Sequence, residues 1–236
     1  MFSSKLISRL KNAYQIVGLI GPGLTNESKN GEWNKGNIPD FGQLSFASEL
    51  ENKKLWQMIV DTRKMIHDLR PNLGHYSLVD FEKHFDEFDL ISQNIDDLQQ
   101  RAGSRRIIEL HGNLMLNICP KCGFKESCQD KLDKQAKCPE CGSLIKPAVV
   151  FKDERIDPGV LSKAQEVAAN CEVLIMIGTT GLTDPALSLP YIAKGNGAYL
   201  VEINIEETQL STHANEFIKG ESAKILPHLV TALLDS

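Results

Sequence analysis

Short apolar-rich runs recur along the chain at 16–20, 88–92, 173–177 and 198–203, and most are followed by Gly, Asn or Asp. The run 173–177 is apolar throughout, the pattern of a strand buried on both faces of a parallel sheet. Between the runs lie segments with helical periodicity, 44–69, 158–170, 206–217 and 222–234, long enough to cross over between parallel strands. This alternation predicts a doubly wound α/β core, which binds its ligand beyond the carboxyl ends of the strands. The first fifteen residues place Phe2, Leu6, Ile7 and Leu10 among Lys5, Arg9 and Lys11 with no acid. They read as an amphipathic helix covering the sheet, with a basic organelle-targeting segment as the alternative. Two stretches break the pattern. Residues 29–40, rich in Asn, Gly and Lys, read as a mobile loop, and 113–146 is polar and carries paired cysteines.

Composition narrows the picture. The chain has 236 residues, 42% hydrophobic and 24% charged, enough for a sizeable core. A net charge of −5 and a pI near 5.7 give no global basic footprint for nucleic acid. No run approaches the roughly 18–20 apolar residues that span a bilayer, so no membrane partner is expected. Six cysteines are too few for a disulfide scaffold, and a reducing compartment, the cytoplasm, is the expected location.

Four of those cysteines form two Cys-x-x-Cys-Gly knuckles, Cys119/Cys122 and Cys138/Cys141, separated by 15 residues. The spacing is that of a zinc ribbon, and four thiolates close a tetrahedral shell with no position left for substrate, so the metal is structural. Cys128 and Cys171 fall outside the spacing and read as a loop thiol and a small core residue. A glycine-rich strand end, Gly18-Leu-Ile-Gly21-Pro-Gly23-Leu-Thr25, offers backbone N–H groups to a phosphate, or is simply a turn. Two further strand ends, Gly178-Thr179-Thr180-Gly181 and Glu202-Ile-Asn204, add hydroxyls, amides and a carboxylate able to take ribose hydroxyls. Three polar strand ends on one sheet edge point to a nucleotide. Ser92-Gln93-Asn94-Ile-Asp96-Asp97 and Glu109-Leu-His111-Gly112 supply a reactive set: His111 is a candidate proton acceptor near neutral pH, or a satisfied structural histidine.

In this order and spacing, Gln93-Asn-Ile-Asp96, His111-Gly112, the four-cysteine ribbon, Gly178-Thr-Thr180, Pro185-Ala186 and Val201-Glu-Ile-Asn204 resemble the sirtuins, NAD-dependent protein lysine deacylases. The resemblance implies an α/β fold with a large Rossmann-like parallel sheet and a small domain made of a zinc ribbon and a helical module. The implied division is 1–28, 66–112 and 148–236 for the NAD-binding domain, 29–65 for the cofactor loop and helical module, and 113–147 for the ribbon. It further implies cofactor contacts from Gly21, Gly23, Thr25, Glu27, Asp40, Phe41, Gln93, Asn94, Asp96, Gly178, Thr179, Thr180 and Asn204. Gln93, Asn94 and Asp96 would form the nicotinamide pocket, and Asn94 and Asp96 would be catalytic residues together with His111, the general base. Val149, Val150 and Phe151 would line a tunnel for the acyl-lysine of a protein substrate. The implied products are nicotinamide, free lysine and O-acyl-ADP-ribose.

The chain departs from the family pattern in places. Pro22 replaces the alanine of Gly-Ala-Gly, about eight extra residues occupy 29–36, and Gly42 stands where an arginine usually follows Pro-Asp-Phe, with Lys35 or Arg63 as possible stand-ins. Lys152-Asp153-Glu154 replaces Phe-Gly-Glu, and Gln99 replaces a histidine. A Tyr-x-x-Arg pair for acidic acyl groups is absent, Ile59 and Thr62 standing instead. A changed cofactor loop leaves two other functions open on the same fold: protein ADP-ribosyl transfer or NAD hydrolysis, and a weakly active NAD or ADP-ribose binding module. His75 reads as a structural hydrogen-bonding residue, and the acids of 80–89 as a solvated helix face.

Overall fold

The computed structural model describes residues 2–28, 41–45, 53–128, 137–180 and 187–234. Among them are nine strands: β1 (Gln15–Ile20), β2 (Glu87–Ser92), β3 (Ile107–Glu109), β4 (Gly112–Ile118), β5 (Lys125–Ser127), β6 (Lys146–Val149), β7 (Val173–Ile177), β8 (Tyr199–Asn204) and β9 (Glu216–Lys219). The helices are α1 (Ser4–Asn12), α2 (Pro22–Asn26), α3 (Lys53–Asp68), α4 (Leu73–His84), α5 (Leu98–Ala102), α6 (Pro158–Asn170), α7 (Ser188–Gly195) and α8 (Ser222–Leu234). Six strands form a parallel sheet in the order β3-β2-β1-β7-β8-β9. The central strands β7 and β8 are buried at every position, which explains the unbroken apolar run of β7; β8 buries Glu202 and Asn204 as well.

Alternate residues of these strands feed two separate cores, as the two-residue period of a strand requires. Ile16, Ile20, Ile175, Ile177 and Val201 pack under α1, α4 and α8, against Leu6, Leu10, Phe81, Leu226 and Leu229. Val17, Leu19, Leu174, Met176 and Leu200 pack under α6 and α7, against Ala164, Val167, Leu189 and Ala193. The amphipathic start thus forms α1, capped by the Ser3 hydroxyl, which accepts the Leu6 N–H at 3.0 Å, with Leu6 and Leu10 fully buried on the sheet.

A second, antiparallel sheet, β5-β4-β6, carries the cysteine knuckles. It shares a core with α3, in which Leu55, Ile59 and Ile66 meet Leu114, Met115, Val149 and Phe151.

Three expectations change. Residues 206–217 are not a helix but a 3-10 turn (Gln209–Thr212) followed by the edge strand β9, because hydroxyls of this segment bond the buried Glu202 and Asn215 bonds Leu200 on β8. The helix expected over 44–69 is seen from Lys53, and 41–43 form a 3-10 turn; 46–52 lie outside the described residues. The acids of 80–89 are shared between α4 and β2 rather than forming one helix face. The domain boundaries expected at 65/66, 112/113 and 147/148 pass through α3, β4 and β6. No helix of the described residues is long and apolar enough to cross a membrane.

Candidate active site

The strand order reverses direction between β1 and β7, so the loops after these two strands meet at the point where an open α/β sheet forms its crevice. They meet backbone to backbone. The Gly21 N–H donates to Ile177 O at 2.9 Å and the Gly23 N–H to Gly178 O at 2.8 Å. A Cβ on Gly23 would lie 2.6 Å from Gly178 Cα, and Gly178 has φ +56° with Leu24 N 2.6 Å from where its own Cβ would be. The two N–H groups expected to face a phosphate are therefore donated within the protein. The glycines serve close approach of two loops, and Pro22, at the first turn of α2, costs no bond there.

Around this junction the polar strand ends form one connected set. The Thr25 hydroxyl, fully buried, donates to Asp96 Oδ2 at 2.7 Å and accepts from Asn94 Nδ2 at 3.0 Å. Asp96 Oδ1 accepts the Leu98 N–H at 3.0 Å. Burial pushes the Asp96 carboxyl up, against these two donors, which favour its anion. Asn94 Oδ1 is buried with no hydrogen-bond partner, an acceptor left open for an amide N–H. Gln93 Nε2 donates to Thr179 Oγ1 at 2.7 Å, and Asn204 Nδ2 donates to Thr179 O at 3.0 Å, so the ends of β2, β7 and β8 are tied together. Thr180 is exposed at the same edge.

His111 sits half-buried at the turn where the chain leaves β3 for β4, between the two sheets. The turn needs Gly112: its φ is +78°, and a Cβ there would lie 2.0 Å from Ala148 O. The His111 carbonyl accepts the Val150 N–H at 3.1 Å, and Gly112 pairs with Val149. The segment 149–151 therefore runs beside the histidine. Val149 and Phe151 are buried and Val150 is partly open. Phe151 meets Phe41 edge-on, with ring centroids 5.8 Å apart, so the start of the 3-10 turn Phe41–Gln43 is anchored on this segment.

The remaining candidates have other partners. Glu27 caps α8, its carboxylate oxygens accepting the N–H groups of Ser222 (2.8 Å) and Ala223 (2.6 Å). Arg63 is fully buried, with Nε on Leu114 O at 2.9 Å and a guanidinium nitrogen on Asn117 Oδ1 at 2.7 Å, so it braces α3 against β4 and does not replace the arginine missing at Gly42. Glu202 is fully buried and bonded within the protein, leaving only Asn204 of that strand end for a ligand. His75 is the structural residue expected: its Nδ1 accepts the Asn72 N–H at 3.2 Å in a capping box, and burial drives its pKa down to about 3. Gln99 is likewise buried, bonded to His75 O and to Ser104. Lys35, Asp40, the extra residues 29–36, Gly181, Pro185 and Ala186 lie outside the described residues.

In the ribbon, both knuckles adopt the same turn. The Gly123 N–H donates to Cys119 O at 2.9 Å and the Gly142 N–H to Cys138 O at 2.8 Å, with φ of +76° and +72°. The thiols of Cys119, Cys122, Cys138 and Cys141 lie within 4.8 Å of one another. A zinc ion bonded to sulfur at about 2.3 Å would space its ligands at about 3.8 Å, so the set fits that ion, and four thiolates this close require a cation between them. Cys128 and Cys171 are buried in separate apolar clusters.

A model of the Sir2 family matches residues 27–185. The chain belongs to the Sir2 family. It is 33% identical over 241 residues to an NAD-dependent protein deacylase of Pyrococcus abyssi, covering 96% of this chain and 95% of the relative. Its structure superposes on that of a Sir2 homolog–NAD complex with a TM-score of 0.88 at 31% identity, covering 100% of this chain and 95% of the other. It is also similar to Sir2Af2 bound to a myristoylated histone peptide, with a TM-score of 0.77 at 29% identity, covering 98% and 95%. Within a Sir2 framework, Thr25 and Glu202 are the residues whose roles sequence reasoning read incompletely. The bridge from Thr25 to Asp96 spans 71 positions, and the Glu202 bonds run to Thr208 and Ser211 in a 3-10 turn that the helical spacing of 206–217 concealed.

Proposed function

We propose that this Sir2-family chain is an NAD-dependent protein lysine deacylase that releases nicotinamide, free lysine and an O-acyl-ADP-ribose. One observation carries the reading: a single sheet edge bears Thr25, Asn94 and Asp96 at one end, Thr179 in the middle and Asn204 at the other. Strands β2 and β8 are three steps apart in the sheet, about 14 Å at ~4.8 Å per step, a span suited to a dinucleotide. NAD, when bound, supplies an anomeric carbon with nicotinamide as its leaving group. The open Asn94 oxygen accepts from the carboxamide, and Asp96 and Gln93 complete that pocket. Gly21, Gly23 and Gly178 shape the floor, while Thr179, Thr180 and Asn204 hold the phosphates and the adenosine ribose.

His111, as a neutral imidazole, takes the proton of a ribose hydroxyl. Val149, Val150 and Phe151 wall the acyl-lysine channel, and Phe41, with Asp40 and Glu27, frames the cofactor loop at its two ends. The resemblance to a neighbour holding a myristoylated histone peptide supports an acylated lysine of a protein as substrate. Cys119, Cys122, Cys138 and Cys141 hold a structural zinc. The NAD-binding domain is 1–28, 66–112 and 148–236, with 29–65 as cofactor loop and helical module and 113–147 as ribbon. Mass-spectrometric product analysis with NAD and a panel of acyl-lysine peptides tests this. Acyl-dependent O-acyl-ADP-ribose that disappears in His111→Ala is the expected result. Free ADP-ribose or a modified protein, formed without acyl dependence, would replace the reading with NAD hydrolysis or ADP-ribosyl transfer.

A further inference from the structure

We infer that Glu202 is a positioning residue for the adenosine end of NAD, acting through Asn204; this rests on the deacylase reading above. Glu202 lies on β8 with no exposed surface. It belongs to no ion pair among the described residues; its partners are neutral groups. Oε1 accepts from Thr208 Oγ1 at 2.7 Å and from Asn204 Nδ2 at 3.5 Å, and Oε2 accepts from Ser211 Oγ at 2.6 Å.

The two hydroxyls fix the direction of these bonds. Thr208 Oγ1 accepts the Leu210 N–H at 3.1 Å, and Ser211 Oγ accepts the Thr208 N–H at 2.8 Å, in the reciprocal cap of the turn Gln209–Thr212. Each hydroxyl thus has its single proton free to point at the carboxylate, and both oxygens of Glu202 act as acceptors. A buried group used only for packing has no need of this: glutamine or leucine would fill the volume without the cost of burying an acid.

Oε1 of that pair shares in fixing the orientation of Asn204. Its Nδ2 is shared between Thr179 O at 3.0 Å and Glu202, while Oδ1 accepts the Ile205 N–H at 2.9 Å. The amide cannot flip without breaking these bonds, so the remaining lone pair of Oδ1 is the group left to a ribose hydroxyl. The same carboxylate pins the turn Gln209–Thr212 beneath that strand end. Glu202 therefore supports, from within the protein and together with Thr179 O and the Ile205 N–H, a cofactor contact that it does not itself make.

The test uses the full chain with zinc bound, comparing wild type, Glu202→Gln, Thr208→Val and Thr208→Ser by calorimetric titration with ADP-ribose and by steady-state kinetics. Glu202→Gln removes one acceptor and is expected to weaken ADP-ribose binding and raise KM for NAD by about five- to twenty-fold. The kcat, the KM for acyl peptide and Tm should stay near wild type. Thr208→Val should show the same split between KM and kcat, with a fall in Tm of a few degrees from the lost cap on the Leu210 N–H, and Thr208→Ser, which keeps the hydroxyl, should restore wild-type affinity and Tm. If Glu202→Gln fails to fold, the Thr208 pair carries the test. Wild-type ADP-ribose affinity in the substituted proteins, or losses spread equally over KM, kcat and Tm, would overturn the positioning role. Failure of the wild-type protein to bind ADP-ribose would instead overturn the site reading, and the inference with it.

Discussion

The sheet edge and the cysteine ribbon solve the same problem, holding a loop in one place, by opposite means. At the edge, Gly21, Gly23 and Gly178 press two strand ends together, and Thr25, Asp96 and Asn94 bond across them, above cores filled by residues such as Ile20, Ile177 and Val201. The ribbon has three short strands and a small cluster of Cys119, Cys138 and Ile145, with Phe124 and Cys141 packed against it. Apolar burial holds the first; the second has too little apolar surface and depends on what its thiols bind. The proposed reaction draws on both, because His111, its proposed base, lies at the turn joining the two sheets.

Removing the metal breaks the comparison most severely. Zinc in small ribbons contributes an apparent ~10–16 kcal/mol at neutral pH. Chelation, or Cys138→Ser, should unfold the ribbon and abolish deacylation while the large sheet keeps its circular dichroism; activity surviving complete metal loss, measured by elemental analysis, would show that the ribbon stands without it. Next in size is His111→Ala, which should lower kcat by about 10²–10⁴-fold with the fold and zinc content unchanged.

A third prediction concerns pH and falls on the sheet side alone. His75 is buried and its pKa is depressed to about 3, so the fold requires the neutral ring. Its stabilisation is complete above the unfolded value of about 6.5 and is lost as pH falls from there toward 3. Urea unfolding should lose about 2–3 kcal/mol between pH 6.5 and 4.5 from this group, and His75→Gln should flatten that slope by one proton. An identical slope in the variant would place the pH dependence elsewhere. The smallest effect is expected at the cofactor loop: Gly42→Arg should lower KM for NAD a few-fold by restoring a cation that Arg63, committed to Leu114 and Asn117, does not supply.

Strands with unbroken apolar runs, the two knuckles and the glycine-rich ends were legible because each is a local pattern with a local cause. Strands β3 and β9 were not, since they are three- and four-residue edge strands whose half-buried residues carry no run. The segment 206–217 has helical spacing, yet its hydroxyls and Asn215 make stronger bonds to β8 than a helix would offer. Arg63 looked like a spare cation because sequence shows charge and not depth.

By itself the sequence determined the parallel core and the four zinc donors, because side-chain type and short spacing suffice for hydrophobic periodicity and metal ligation. Only the tertiary structure decided how those residues are used. It gave the N–H groups of Gly21 and Gly23 to the neighbouring strand end, joined Thr25 to Asp96, turned Glu27 into a cap for α8 and sank Glu202 beneath Asn204. The reason is that a hydrogen-bonding group takes whichever partner the packed chain brings within about 3 Å, and chain distance says nothing about which that is.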